Sequence, residues 1–253
     1  MSPVEGVVLF CAGAVASAIN SVAGGGSLIT FPVLTIGLRI PALFANATNA
    51  VGLFPGSLAS SFGFKDQFAK TGVYFKKLLI PTILGSILGA FLLLITTETA
   101  FKIIIPFLIL LASVLLWFQP KVKAMLAGHH KQLVGPTVGM LLQFLVATYG
   151  GYFGAGMGIM MLASFALYME GSTHELNAVK SLLGTIINFV ASIVFVIKGM
   201  VWFDVGLVLV LGSIVGGYVS ARVSLKVDPD KLRVAIAIYG FIMTAYFFYK
   251  IFA

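Results

Sequence analysis

One lysine and two runs of glycine are the residues in this chain best suited to chemistry. Lys180 sits in the apolar stretch that follows "GST" at 171–173, and Asn177, Ser181, Gly184 and Asn188 share its face at helical spacing. Ser172 and Glu175 have the spacing of a capping box, so the helix starts near 173 and the ammonium lies about two turns inside it. A charge at that depth is costly unless it meets a partner or a wet cavity. The chemistry it offers is neutralisation of an anion; the competing readings are snorkelling to an interface or pairing with Glu170.

The glycine runs are "AGGGSLI" at 23–29 and "GAGMGIM" at 154–160. Each glycine costs roughly 1 kcal/mol of helix stability relative to alanine. A helix that restarts at such a break presents unpaired N–H groups and a partial positive charge, which stabilise anions. Gly24, Gly25, Gly26 and the hydroxyl of Ser27 are therefore expected to form one half of an anion site, with Asn46 and Asn49 from "ANATNAVG" at 45–52. Gly154, Gly156 and Gly158 form the other half, with Asn177, Lys180, Ser181 and Asn188. By contrast, the GxxxG pairs Gly85/Gly89 and Gly212/Gly216 read as close helix packing.

The elements that must position these residues are membrane helices. Of 253 residues, 60% are hydrophobic and 9% charged, far from a soluble composition. Apolar runs broken by glycine, without alternation in segments of about ten, point to helices rather than a barrel. Segments are expected at about 4–20, 25–38, 41–63, 73–95 and 99–118, and again at about 133–149, 156–169, 173–197, 204–224 and 230–250. "ILGSILGA" at 83–90 answers "VLGSIVGG" at 210–217, and "ANATNAVG" answers "LNAVKSLLG" at 176–184. The chain is an internal duplication.

The segments at 25–38 and 156–169 are short. Fifteen helical residues reach about 22 Å, less than the hydrocarbon thickness of about 30 Å, so a re-entrant pair turning at the glycines is expected. On that parity Lys65, Lys70, Lys76 and Lys77, then Lys121, Lys123 and Lys131, then Arg222, Lys226, Lys231 and Arg233 fall on one face, which the positive-inside rule makes cytoplasmic. "KDQFAK" and "KGMVWFD" then lie on opposite faces. The expected fold is an all-α polytopic membrane protein of two inverted repeats, each a Gly-broken re-entrant hairpin plus three transmembrane helices. Residues 1–120 form the N-terminal repeat, 121–131 a cytoplasmic connector and 132–253 the C-terminal repeat, with both termini extracytoplasmic.

The net charge of +8 resides in short loops, which argues against a nucleic-acid partner. Cys11, the single cysteine, reads as a packing residue, and no HExxH or CxxC spacing marks a metal. "MSPVEG" carries no basic residue, so no cleaved leader is expected. Asp204 and Glu98 fall near helix ends, which leaves no carboxylate placed for a proton relay. No cofactor is called for.

"AGGGSLITFPVL", "NATN" and "GGYFGAGMGIMML" together make the chain resemble the TauE/SafE sulfite exporter family over nearly its whole length. The resemblance implies a bacterial inner-membrane transporter of sulfite or small organosulfonates, in agreement with the anion site. It also implies a proline after each Gly-rich motif. Pro32 supplies the first, and "MLASFAL" has none in the second. The expected partners are a small anion and the lipid bilayer, and the sequence is compatible with a homo-oligomer. Two other functions use the same residues: an anion channel, and a membrane-embedded hydrolase with Ser27 as nucleophile, which needs a base that the loop-placed His129, His130 and His174 are poorly sited to supply.

Overall fold

The computed structural model describes residues 1–22, 25–61, 68–128, 133–223 and 229–252. Gly24, Lys65, Lys131, Lys226, His129 and His130 lie outside them. The regular elements are helices: α1 (Pro3–Val22), α2 (Ser27–Pro32), α3 (Ala42–Ser61), α4 (Phe68–Ile95), α5 (Glu98–Gly128), α6 (Pro136–Tyr152), α7 (Met157–Tyr168), α8 (Thr173–Ile197), α9 (Phe203–Val223) and α10 (Pro229–Phe252). Five of these, α1, α4, α5, α8 and α10, are long and apolar enough to cross a membrane. Their outer faces carry large exposed apolar side chains, such as Ile80, Leu84 and Phe91 on α4 and Tyr249 and Phe252 on α10, and α9 does the same with Leu207 and Leu211. That surface suits lipid and not water.

Three local expectations need adjusting. The helix read as ending near 118 continues through Gly128, so α5 occupies most of the 121–131 connector. Cys11 is exposed and does not pack in the interior. After Pro32 the backbone of α2 widens into a π-helical turn over Val33–Gly37, with Leu38 N–H bonding Val33 O at 3.1 Å. Proline has no N–H for the carbonyl four residues back, and its ring crowds that carbonyl. α7 has no proline and stays α-helical for 12 residues.

Packing repeats with the halves exchanged. α1 lies on α9 and α6 on α4; α3 lies on α9 and α8 on α4; α3 meets α8, and α5 meets α10. The glycine pairs explain the tightest of these contacts. A Cβ at Gly85 or Gly89 would stand 2.4 Å from Phe144 O or 2.0 Å from Thr148 O of α6. At Gly212 or Gly216 it would stand 2.2 Å from Phe10 O or 1.9 Å from Ala14 O of α1. The two interfaces are the same close approach made twice, as the GxxxG reading requires.

At one end of α5, Pro120 leaves the carbonyl of Leu116 without its helical donor. Arg233 of α10 supplies one: its guanidinium donates to Leu116 O at 3.2 Å and Trp117 O at 2.9 Å, with Asp230 at 3.4 Å beside it. Arg233→Met is expected to cost about 1.5–3 kcal/mol, the range for a charged hydrogen bond. Pro120→Ala in the same chain should return part of it, because Ala restores an N–H for Leu116. Thermal unfolding in detergent measures both; equal unfolding temperatures for Arg233→Met and the parent chain would refute the clamp.

Candidate functional site

A single cavity collects nearly all of the residues singled out above. Its empty space, mouth included, is about 800 Å³. Gly25 and Ser27 line it from the first break, Asn46 and Asn49 from α3, Gly154, Gly156 and Gly158 from the second break, and Lys180, Ser181 and Asn188 from α8. Gly24 lies outside the described residues. Gly26 and Asn177 are not in the lining, and each hydrogen-bonds to a residue that is, Asn20 and Lys180. No histidine or carboxylate is among the described residues that line the cavity.

The breaks depend on glycine because of backbone geometry. Gly25 has φ +98°, and Gly154 and Gly156 have φ +80° and +77°, in the left-handed region where a side chain is strained. Gly26 serves a different purpose. A Cβ there would fall 2.1 Å from Ala16 O, so its role is to let the turn lie against α1.

The sequence reading assigned anion binding largely to backbone N–H groups, and the turns occupy several of them. Gly26 N–H donates to Asn20 Oδ1 at 2.7 Å. Leu28 and Ile29 N–H bond back to Gly25 O and Gly26 O, and Met157 and Ile159 N–H to Gly154 O and Gly156 O. Weight therefore passes to the side chains. Asn49 accepts the hydroxyl of Thr30 on Oδ1 at 2.5 Å, a bond that does not engage its NH₂. Asn46 donates to Tyr152 O at 2.8 Å, tying α3 to the end of α6.

Lys180 is 7% exposed, so it does not snorkel out, and Glu170 lies at the surface. Its Nζ donates to Asn177 Oδ1 at 3.0 Å, one turn back on α8. The capping box expected at Ser172 and Glu175 is present and sets where α8 begins. The lysine stem runs over Gly158, whose added Cβ would meet Lys180 Cδ at 3.4 Å. The α8 cation thus packs directly against a glycine of the second break.

The residues named and their arrangement can be set beside known proteins. A family model described as Sulfite exporter TauE/SafE matches residues 9–247. The chain belongs to the TauE/SafE family. A "Probable membrane transporter protein" of Haemophilus influenzae is 31% identical over 240 residues, covering 94% of this chain and 92% of that one. The YfcA "Probable membrane transporter protein" of Escherichia coli K12 is 26% identical over 98% of this chain and 91% of its own length. A protein of the same description from a Sinorhizobium species, ORF9, is 31% identical over 91% and 89%. No solved structure matches. The TauE/SafE assignment makes this a multi-pass membrane protein of a transporter family.

Within this TauE/SafE chain, the sequence reading passed over Asn20, Tyr152, Met157, Met161, Thr185 and Phe195, which also line the cavity. Asn20 was legible in principle, as the last amide before the first break. The methionines and aromatic residues were not, because their types suit any core.

Proposed function

We propose that this protein carries a small sulfur-containing anion, sulfite or an organosulfonate, across the bacterial inner membrane, and that export is its direction. The observation that carries the reading is the buried Lys180 on the same cavity wall system as both glycine breaks and the amides of Asn49 and Asn188. A buried cation with amide and hydroxyl groups around it suits an oxyanion: Lys180 neutralises the charge, and Asn49, Ser27 and Ser181 hold the oxygens. The family to which the chain belongs supports the sulfur class of the anion.

Movement follows from the duplication. The exchanged packing of the two halves and their repeated glycine contacts support two inverted repeats, each with a re-entrant hairpin whose break meets the other near the midplane. Rocking one repeat against the other opens the cavity to each face in turn. Both termini are extracytoplasmic in this arrangement, and the lipid bilayer and the anion are the partners it needs.

Purified protein in liposomes loaded with unlabelled sulfite should take up labelled sulfite faster than empty liposomes do. Such trans-stimulation is a carrier's property and not a channel's. Uptake that is insensitive to internal sulfite or organosulfonate would overturn alternating access, and uptake equal to that of protein-free liposomes would overturn the substrate assignment.

A further inference from the structure

Aromatic rings pack against part of the cavity wall. Phe153 and Phe195 line it, and behind them Phe31 and Phe101 are 1% and 0% exposed. Phe153 meets Phe31 edge-on with ring centres 5.5 Å apart, and Phe101 reaches Phe153 at 6.4 Å and Tyr152 at 5.7 Å. Phe101 belongs to the first turn of α5, next to the turn from α4.

Glu98 begins that same turn, and its carboxylate leaves α5 altogether. Oε1 accepts the N–H of Ala42 at 2.7 Å and Oε2 the N–H of Leu43 at 3.1 Å, the first two amides of α3. Lys102, 58% exposed, stands 3.5 Å from Oε1. A carboxylate on helix-initial amides forms charge-assisted bonds and complements the helix dipole. The counterpart helix α8 is capped by its own Ser172 and Glu175. α3 has Pro41 in the capping position, and its cap comes from another helix. Two further contacts draw the same groups together: Thr96 Oγ1 lies 3.4 Å from the Tyr152 hydroxyl, and Asn46 of α3 holds Tyr152 O.

We propose that Glu98 is a latch. By bridging the first turn of α5 to the start of α3, it holds Phe101 over Tyr152 and Phe153 and keeps the cavity closed at this wall; breaking the bridge opens it. Glu98 touches no ligand and acts by position. Its place in a transport cycle rests on the function proposed above, whereas the seal itself does not.

The test reads access to the cavity. In a Cys11→Ser background, Ala50→Cys places a thiol on the cavity wall, and Thr97→Cys marks the membrane side of the α4–α5 turn. With Glu98 intact, a membrane-impermeant maleimide applied to the side that labels Thr97→Cys should react slowly with Ala50→Cys. With Glu98→Ala, labelling from that side should rise about tenfold or more, the change that loss of even one of its two charge-assisted bonds implies, while labelling from the other side stays constant. Adding Pro41→Ser to Glu98→Ala gives α3 a local cap; it should recover thermal stability and leave the thiol accessible. If the local cap reseals the cavity, or if Glu98→Ala folds and labels no faster, the latch is wrong. Should Glu98→Ala fail to fold, Glu98→Gln keeps one acceptor without the charge and is expected to accelerate labelling by less; an unchanged rate there would equally refute the proposal. A protein that shows the labelling difference and no anion flux would retain the latch and lose the transport reading.

Discussion

Lys180→Ala is expected to abolish anion flux in proteoliposomes while leaving the protein folded. The ammonium is buried beside both glycine breaks, and removing it takes away a charge-assisted contact of about 1.5–3 kcal/mol, or roughly ten- to one-hundred-and-fifty-fold in affinity. Folding should survive, because the truncation also removes a buried charge that is costly to keep in the membrane interior. Lys180→Arg should rescue poorly. Lys180 is buried and its ammonium donates to Asn177 Oδ1 at 3.0 Å, and a longer, planar guanidinium brings a different donor geometry. The measurement is initial uptake of labelled sulfite or organosulfonate, normalised to monodisperse protein; undiminished uptake by Lys180→Ala would remove Lys180 from the mechanism.

Gly89→Leu and Gly216→Leu should be the most damaging substitutions for the fold, and equally so. Even their Cβ atoms would lie 2.0 Å from Thr148 O and 1.9 Å from Ala14 O, and a helix backbone cannot yield by that amount without the helices separating. Overpacking of a contact that can relax costs about 1–3 kcal/mol, and these sites should reach or exceed the top of that range. Gly206→Ala on α9, where the nearest atoms would be 3.7 Å from the new Cβ, is the matched control and should unfold at or above the parent temperature. Thermal unfolding in detergent reads all three. If Gly89→Leu were tolerated and Gly216→Leu were not, the two interfaces would not be equivalent approaches, and the symmetry drawn from them would fail.

Much of the site was visible without coordinates because membrane insertion makes certain residues conspicuous. A lysine two turns inside an apolar helix, asparagines on one face and paired glycine runs all carry a cost in that setting, and a costly residue in an apolar segment signals a purpose. Gly25, Ser27, Asn46, Asn49 and Lys180 were recoverable on that ground as residues that line one cavity, and so was the capping box at Ser172. Pro32 entered the sequence reading only as the proline that the family resemblance implies, and the backbone alone showed that a π-helical turn follows it. The extension of α5 past Pro120 escaped the reading because a proline ordinarily ends a helix; Arg233, distant in the chain, supplies the donor that lets it continue.

Composition and hydrophobic run length therefore determined by themselves that this is a helical membrane protein, since each is a local property of the chain. Tertiary structure alone decided which polar groups remain available. The amide of Gly26 is taken by Asn20, one oxygen of Asn49 by Thr30, and the first amides of α3 by Glu98. Hydrogen-bond partners such as Glu98 and Ala42, fifty-six residues apart, are set by packing, and no spacing along the chain records them.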